Sequence, residues 1–317
     1  MDETKLREAA LQLLGRATAL PDAEVELRLR QALDPEYWRK FSPDLSIGPG
    51  AHACGEAIPL TEEDVGKHVR KLNREGYFQA GPVLDPLVIA RMRRVIERLR
   101  DTGWPPVFSF VYDEFWDVVR TPSLHKLVSR FLGEGYEQNS LMWTYYVVQA
   151  KGASGWPPHT DSKGRDTRLT VWVPLSDATV ENGCIYVIPS DQVPPGVQPN
   201  YRDIETVTKD QLSQFLRAAR ALPAVAGTLM GWHHELVHWG SSATGDAAPR
   251  ISIAVEFCGP TATLRKEEEP LFSPSHSPSF TERIQAISKG ILGYAKFEPL
   301  MTRFETLSVR MREETLK

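Results

Sequence analysis

The chain has 317 residues, 41% hydrophobic and 25% charged, with a formal net charge of −4. That supplies one sizeable core with additions rather than three domains, and the mild acidity without a dense Lys/Arg run argues against nucleic acid or an acidic membrane surface as partner. No stretch approaches the roughly 18 consecutive apolar residues of a membrane span, and the N-terminal MDETKLREAALQLLG lacks the apolar core of a signal peptide, so a cytoplasmic location is expected.

Residues 3–20 carry Leu6, Ala10, Leu13, Leu14 and Ala17 at helical spacing. A second helical segment opens at Pro21-Asp22 and is expected to stop at Asp34-Pro35. Residues 42–59 are rich in Pro and Gly, show no periodicity and read as a loop. Thr61 is a good N-cap for a helix whose acidic first turn suits the positive end of its dipole, and Gly76 should end it. Tyr77-Phe78-Gln79 reads as a short strand. A helix from Asp85-Pro86 presents Leu87, Ile89, Met92, Val95, Ile96 and Leu99 as an apolar stripe. Its arginines read as solvated surface. Another amphipathic helix covers 121–133.

From residue 140 the period changes. LMWTYYVVQA (141–150), RLTVWVPL (168–175), CIYVIP (184–189) and RISIAVEFC (250–258) are rich in aromatic and β-branched residues and read as strands. Asn182-Gly183 signals a turn joining two of them. Residues 203–222 have a helical pattern and are expected to lie over the sheet as an insertion. Gly227–Trp232 reads as a strand, and the tail 279–317 as two helices parted near Glu298-Pro299. Helices, then many short strands, then helices fit an α+β chain with a mainly β core. The expected form is a double-stranded β-helix, or jelly roll, with helices packed on one sheet and helical N- and C-terminal extensions. The expected division is 1–59 as an extension, 60–264 as the jelly roll with an insertion at 191–222, and 265–317 as a second extension. Cys54, Cys184 and Cys258 share no metal-like spacing, so reduced thiols are expected.

The chemistry concentrates in WPPHTDSKGRDTRLTVWVPL. His159 and Asp161, two apart on extended backbone, point to the same side, so an imidazole and a carboxylate reach one ion together. A second imidazole must come from elsewhere. His238 offers it, with His233 and His234 as competitors. Two His and one carboxylate with open positions is the ligand set of non-heme Fe(II) oxygenases. In RISIAVEF, Arg250, Ser252 and Ala254 share one face. A buried Arg there calls for an anionic partner, either a ligand carboxylate gripped at two points, with Ser252 adding a hydroxyl, or an ordinary salt bridge. Trp156, Trp232 and Trp239 fall near these residues. They wall a substrate cavity or pack the barrel mouth, and such rings accommodate apolar, planar or quaternary ammonium groups. His52, His68, His125 and His276 have no metal-like spacing.

His159-Thr160-Asp161, the following LTVWVPLSDATVENGCIYVIP, GTLMGWHHELVHWGSSATGDAAPR, and LTEEDVGKHVRKLNREGYFQAGPVLDP nearer the N-terminus together resemble the phytanoyl-CoA dioxygenase family of Fe(II)/2-oxoglutarate-dependent oxygenases. The resemblance covers roughly residues 60–260. It implies His159, Asp161 and His238 as iron ligands, His238 being preferred because it stands just ahead of the loop leading to Arg250. It implies Arg250 as the clamp on the distal carboxylate of 2-oxoglutarate, with Trp172 lining the co-substrate pocket. The strand before the metal loop should add a polar contact from Tyr145 and Gln149, with Tyr146 as the other register. The implied cofactors are Fe(II), 2-oxoglutarate and O2. The implied reaction is oxidation, foremost hydroxylation, of an unactivated C–H bond in a small molecule such as a natural-product or lipid-like scaffold. Related halogenases lack the carboxylate, so Asp161 favours oxygenation. Two departures stand out: Ser190-Asp191-Gln192 replaces a common Gly-Ser-His, and Gly240 stands where a Ser is frequent. Other readings of the same triad are a cupin-like metal-dependent hydrolase or isomerase, and a non-catalytic metal-binding relative. Trp156 and Trp239 are the expected substrate contacts.

Overall fold

The computed structural model describes residues 19–48, 55–193, 208–295 and 298–316. Nearly all of the helix expected over 3–20 lies outside these residues, as do His52, Cys54 and part of the 191–222 insertion. Among the described residues, no helix is long and apolar enough to cross a membrane.

Helix α1 spans Asp22–Ala32. Asp34-Pro35 does more than stop it: the Asp34 carboxylate accepts from the Glu36 N–H at 2.9 Å and so caps α2, Pro35–Phe41. The Pro at the first helical position lacks only an N–H that would have been unpaired there. Helix α3, Glu62–Glu75, starts with a reciprocal capping box between Thr61 and Asp64 and ends at Gly76, whose φ of 89° is left-handed. Strand β1 is Tyr77–Pro82, helix α4 Pro86–Asp101 and helix α5 Pro122–Leu132.

Among the described residues, eight strands form two antiparallel sheets. The remaining strands are β2 (Glu137–Val147), β3 (Arg168–Pro174), β4 (Ile185–Ile188), β5 (Arg220–Leu222), β6 (Thr228–His233), β7 (Val237–Gly240) and β8 (Arg250–Cys258). The larger sheet runs β1-β6-β3-β8-β2 and the smaller β5-β4-β7. This is the α+β, mainly β architecture expected, with two facing sheets as in a jelly roll. One sequence reading changes and one gains a destination. Asn182-Gly183 does join two strands, β3 and β4, and carries the chain from one sheet to the other. The end of the insertion is not helical: helix α6 stops at Ala218 (Lys209–Ala218), and Arg220–Leu222 pairs with β4.

The pleat separates two apolar layers. On the outer face of the larger sheet, Leu169, Val171 and Val173 of β3 and Ile251, Ile253 and Val255 of β8 join one core with α4 and α7, the latter spanning Phe280–Tyr294. Helix α8, Glu305–Thr315, packs on α7. Between the sheets, Trp172, Met230 and Trp232 meet Cys184, Ile185 and Val187. Among the described residues, Cys184 and Cys258 are buried and unpaired.

Candidate metal centre

The loop after β2 runs beside β7 as a partial extra strand. The N–H of His159 donates to the carbonyl of His238 at 3.1 Å, and the reverse bond is 3.0 Å. The N–H of Gly240 donates to the Trp156 carbonyl at 3.0 Å. These bonds hold the His159-Thr160-Asp161 tripeptide against the distal histidine. The ligand atoms of His159, Asp161 and His238 all lie within 4.8 Å of one another, and among the described residues no other His/Cys/Asp/Glu group forms such a cluster.

Hydrogen bonds behind these side chains fix which atoms face inward. His159 Nδ1 donates to the Pro157 carbonyl at 2.7 Å, and His238 Nδ1 to the Leu236 carbonyl at 3.0 Å. With Nδ1 carrying the proton, each neutral ring presents the lone pair of Nε2. Those Nε2 atoms lie 3.6 and 3.5 Å from the same oxygen, Asp161 Oδ1. The other oxygen, Oδ2, accepts from Thr170 Oγ1 at 2.7 Å and from Trp232 Nε1 at 3.0 Å. Asp161 is thus oriented by one oxygen and offers the other.

Burial pushes His238 down to about 4, so it is neutral at ordinary pH. At His159 burial acts downward too, but the Asp161 carboxylate beside it outweighs this and the net direction is up. Burial pushes Asp161 up, yet the neighbouring imidazoles hold it well below the usual carboxylate range. Two imidazole nitrogens and an ionised carboxylate oxygen on one side, with the opposite side open to a cavity, suit a divalent transition metal.

That cavity has a volume of about 620 Å³ including its open mouth. Tyr145, Trp156, Trp172, Trp239 and Arg250 line it along with the triad, so five further sequence candidates converge here. Arg250 is almost fully buried, and its Nε has no hydrogen-bond partner among the described residues. Its guanidinium carbon sits 5.9 Å from the Trp172 ring centre. Burial pushes Arg250 down to about 10, which still leaves it cationic. The Oγ of Ser252, also buried, is unpartnered among the described residues. A buried cation and hydroxyl without partners mark a place where an anionic ligand would supply them.

Other candidates fall elsewhere. Tyr146 points away from the cavity, its hydroxyl 2.9 Å from Arg100 Nη1. Gln149 lies beyond the end of β2, exposed and away from the cavity lining. The sequence reading carried the strand to residue 150, whereas β2 ends at Val147, which pairs with Arg250. Of the competing histidines, His233 bonds to Ser190 Oγ at 3.0 Å and is pushed down to about 3 by burial. His234 bonds through Nδ1 to Ser162 Oγ at 2.8 Å. Neither joins the triad.

The departure at Gly240 has a steric reason. A Cβ there would come within 2.7 Å of Gly155 Cα and 3.0 Å of Arg250 Nη2. Gly155 and Gly240 together let the metal loop and β7 close over the guanidinium.

Four residues of the site escaped the sequence reading. Thr170 supports Asp161, Glu256 and Tyr294 line the cavity, and Glu298 accepts from Trp143 Nε1 at 2.8 Å and from Trp156. The Arg250–Ser252–Ala254 alternation, carried two residues on, reaches Glu256. Thr170 sits in phase with Trp172 on β3. Nothing in the local sequence links Tyr294, on α7, to a site built from the strands and loops before it.

Thr170→Val should keep the shape of its side chain while removing one of the two donors on Asp161 Oδ2. We expect metal affinity to fall by roughly 10–100-fold, the usual consequence of losing an outer-shell partner, as measured by competition with a chromophoric chelator. Unchanged affinity would remove Thr170 from the support of the site.

Residues 106–252 match the family model described as phytanoyl-CoA dioxygenase (PhyH). No curated protein sequence is significantly similar to the chain. Several solved structures share the fold. The epimerase SnoN, in complex with Fe3+, alpha ketoglutarate and nogalamycin RO, superposes with a TM-score of 0.52 at 20% identity, covering 65% of this chain and 87% of that one. The non-heme alpha ketoglutarate dependent carbocyclase SnoK from nogalamycin biosynthesis gives 0.50 at 21% identity, over 65% and 89%. The non-heme monooxygenase ThoJ, as a nickel complex, gives 0.51 at 15% identity, over 76% and 99%.

Proposed function

We propose that this chain, whose residues 106–252 match the phytanoyl-CoA dioxygenase family model, is an Fe(II)- and 2-oxoglutarate-dependent oxygenase. Its substrate on this reading is a small molecule, of natural-product or lipid-like type, and its foremost reaction is hydroxylation. The observation that carries the reading is the combination of the open His159/Asp161/His238 cluster with a buried, unpartnered Arg250 in the same cavity.

His159, Asp161 and His238 would hold the metal. Arg250, with Ser252 beside it, would take the distal carboxylate of 2-oxoglutarate, and Trp172 and Tyr145 would flank the co-substrate. When bound, iron with 2-oxoglutarate and O2 supplies oxidation of an unactivated C–H bond, with succinate and carbon dioxide as co-products. The chain orients the reactants and excludes water. Trp156, Trp239 and Tyr294 close the cavity around a substrate. Tyr294 comes from α7, so the C-terminal extension takes part in shaping the pocket of the 60–264 unit. The solved structures that share the fold are described as an epimerase, a carbocyclase and a monooxygenase, so the fold accommodates several outcomes.

A cupin-like hydrolase or isomerase would use the same triad to activate water. It would leave Arg250 without an anion, which is what disfavours it. Succinate release from 2-oxoglutarate by the Fe(II)-loaded protein separates the two. The oxygenase reading requires succinate in air and essentially none under anaerobic conditions. Oxygen-independent turnover of a substrate would defeat it.

A further inference from the structure

The polar face of β8 has two ends of opposite charge. Arg250 stands at one and Glu256 at the other, six residues or about 20 Å along the strand. The triad lies between them, nearer Glu256, because Asp161 is bonded to Thr170 and Thr170 pairs with Glu256 across β3 and β8. If 2-oxoglutarate occupies the Arg250 end, as the proposed function holds, Glu256 faces the remaining space, where a primary substrate must sit.

Glu256 and Asp161 are the only carboxylates lining the cavity among the described residues. With a divalent metal and dianionic 2-oxoglutarate in place, the charges of Asp161, Arg250, metal and co-substrate cancel. Glu256 is then left over. Its Oε2 accepts from Asn139 Nδ2 at 3.1 Å, and His234 Nε2 stands 3.7 Å from the same oxygen, beyond hydrogen-bond range. Its Oε1 has no partner among the described residues. Burial pushes the Glu256 carboxyl up from its usual range, against the downward pull of His234 and Arg265, and an ammonium brought against Oε1 would hold it ionised. The walls of the cavity are aromatic: Tyr145, Trp156 and Tyr294 line it, and the Trp156 ring centre is 6.1 Å from Tyr145 and 5.4 Å from Tyr294. A carboxylate set among aromatic faces suits a cation better than a neutral hydroxyl.

We propose that Glu256 is the specificity-determining residue of the cavity and that the primary substrate carries a protonated amine. The ammonium donates to Glu256 Oε1 while its hydrocarbon lies against the aromatic walls. Asn139 is a positioning residue that holds Oε2 and turns Oε1 toward the cavity.

The test uses two probes of similar shape and different charge: benzylammonium and benzyl alcohol. Trp156, Trp232 and Trp239 line the cavity, so quenching of tryptophan fluorescence in the metal-free protein reads binding without iron, co-substrate or turnover. The wild-type protein should bind benzylammonium about tenfold or more tightly than benzyl alcohol. Glu256→Gln should bring the ammonium-to-alcohol ratio near one, and Asp161→Asn should keep the preference. Ala254→Lys places an internal ammonium on the same strand face and should abolish the preference too, should Glu256→Gln fail to fold. Equal binding of ammonium and alcohol by the wild-type protein would overturn the proposal. So would a preference that survives Glu256→Gln, or one lost only in Asp161→Asn. A failure of the oxygenase reading would show in iron and 2-oxoglutarate titrations instead, leaving the fluorescence ratio as it is.

Discussion

Asp161→Ala is expected to lower Fe(II) affinity on the order of 10²-fold or more and to reduce 2-oxoglutarate turnover to background. Loss of an outer-shell partner alone costs about 10–100-fold, and here a ligand itself is removed. Asp161 Oδ1 is the one atom that both imidazole Nε2 groups face, at 3.6 and 3.5 Å. Without it the remaining nitrogens present a neutral pair with no charge to hold a dication. The substitution also strands the donors of Thr170 and Trp232, each an unpaired polar group costing about 1–3 kcal/mol where it stays buried. Asp161→Asn is therefore the companion variant. It keeps an acceptor for those donors and removes only the charge, so a folded, metal-poor Asp161→Asn protein isolates the ligand role. Full 2-oxoglutarate turnover in either variant would refute the triad.

The second large effect is expected at Arg250. Arg250→Ala should raise the apparent KM for 2-oxoglutarate on the order of 10²-fold while leaving iron affinity nearly unchanged, because removing one partner of a buried charge-assisted pair costs about 2–5 kcal/mol. The split between the two readouts matters. A general loss of structure would lower both, whereas an anion clamp affects only the co-substrate. Arg250→Lys should recover part of the affinity, since a point charge replaces a planar fork. An unchanged 2-oxoglutarate requirement in Arg250→Ala would remove Arg250 from co-substrate binding.

Much of the site was legible because it obeys strand periodicity. His159 and Asp161 are two apart, and Arg250 and Ser252 stand on one face of a strand whose bounds were read as they are found. The same rule, applied for two more residues, reaches Glu256. Where the reading failed, long-range pairing decided. Gln149 depended on where β2 stops, and that is set by the end of its partner at Arg250. Residues 220–222 have a helical pattern locally but gain a ladder with β4, which local propensity does not register. Asn182-Gly183 is a true turn between two strands, but a turn motif fixes backbone geometry without specifying the sheet that receives the chain. Tyr294 reaches the cavity only through the packing of α7 on β2.

The most direct test of the central claim is a visible-absorbance titration of the anaerobic, Fe(II)-loaded protein with 2-oxoglutarate. Chelation of iron by the co-substrate produces a new band, and the account predicts one that saturates at one equivalent. It should need a much higher 2-oxoglutarate concentration in Arg250→Ala and should be missing in Asp161→Ala. Iron bound by His159, Asp161 and His238 with no band at any 2-oxoglutarate concentration would contradict the account.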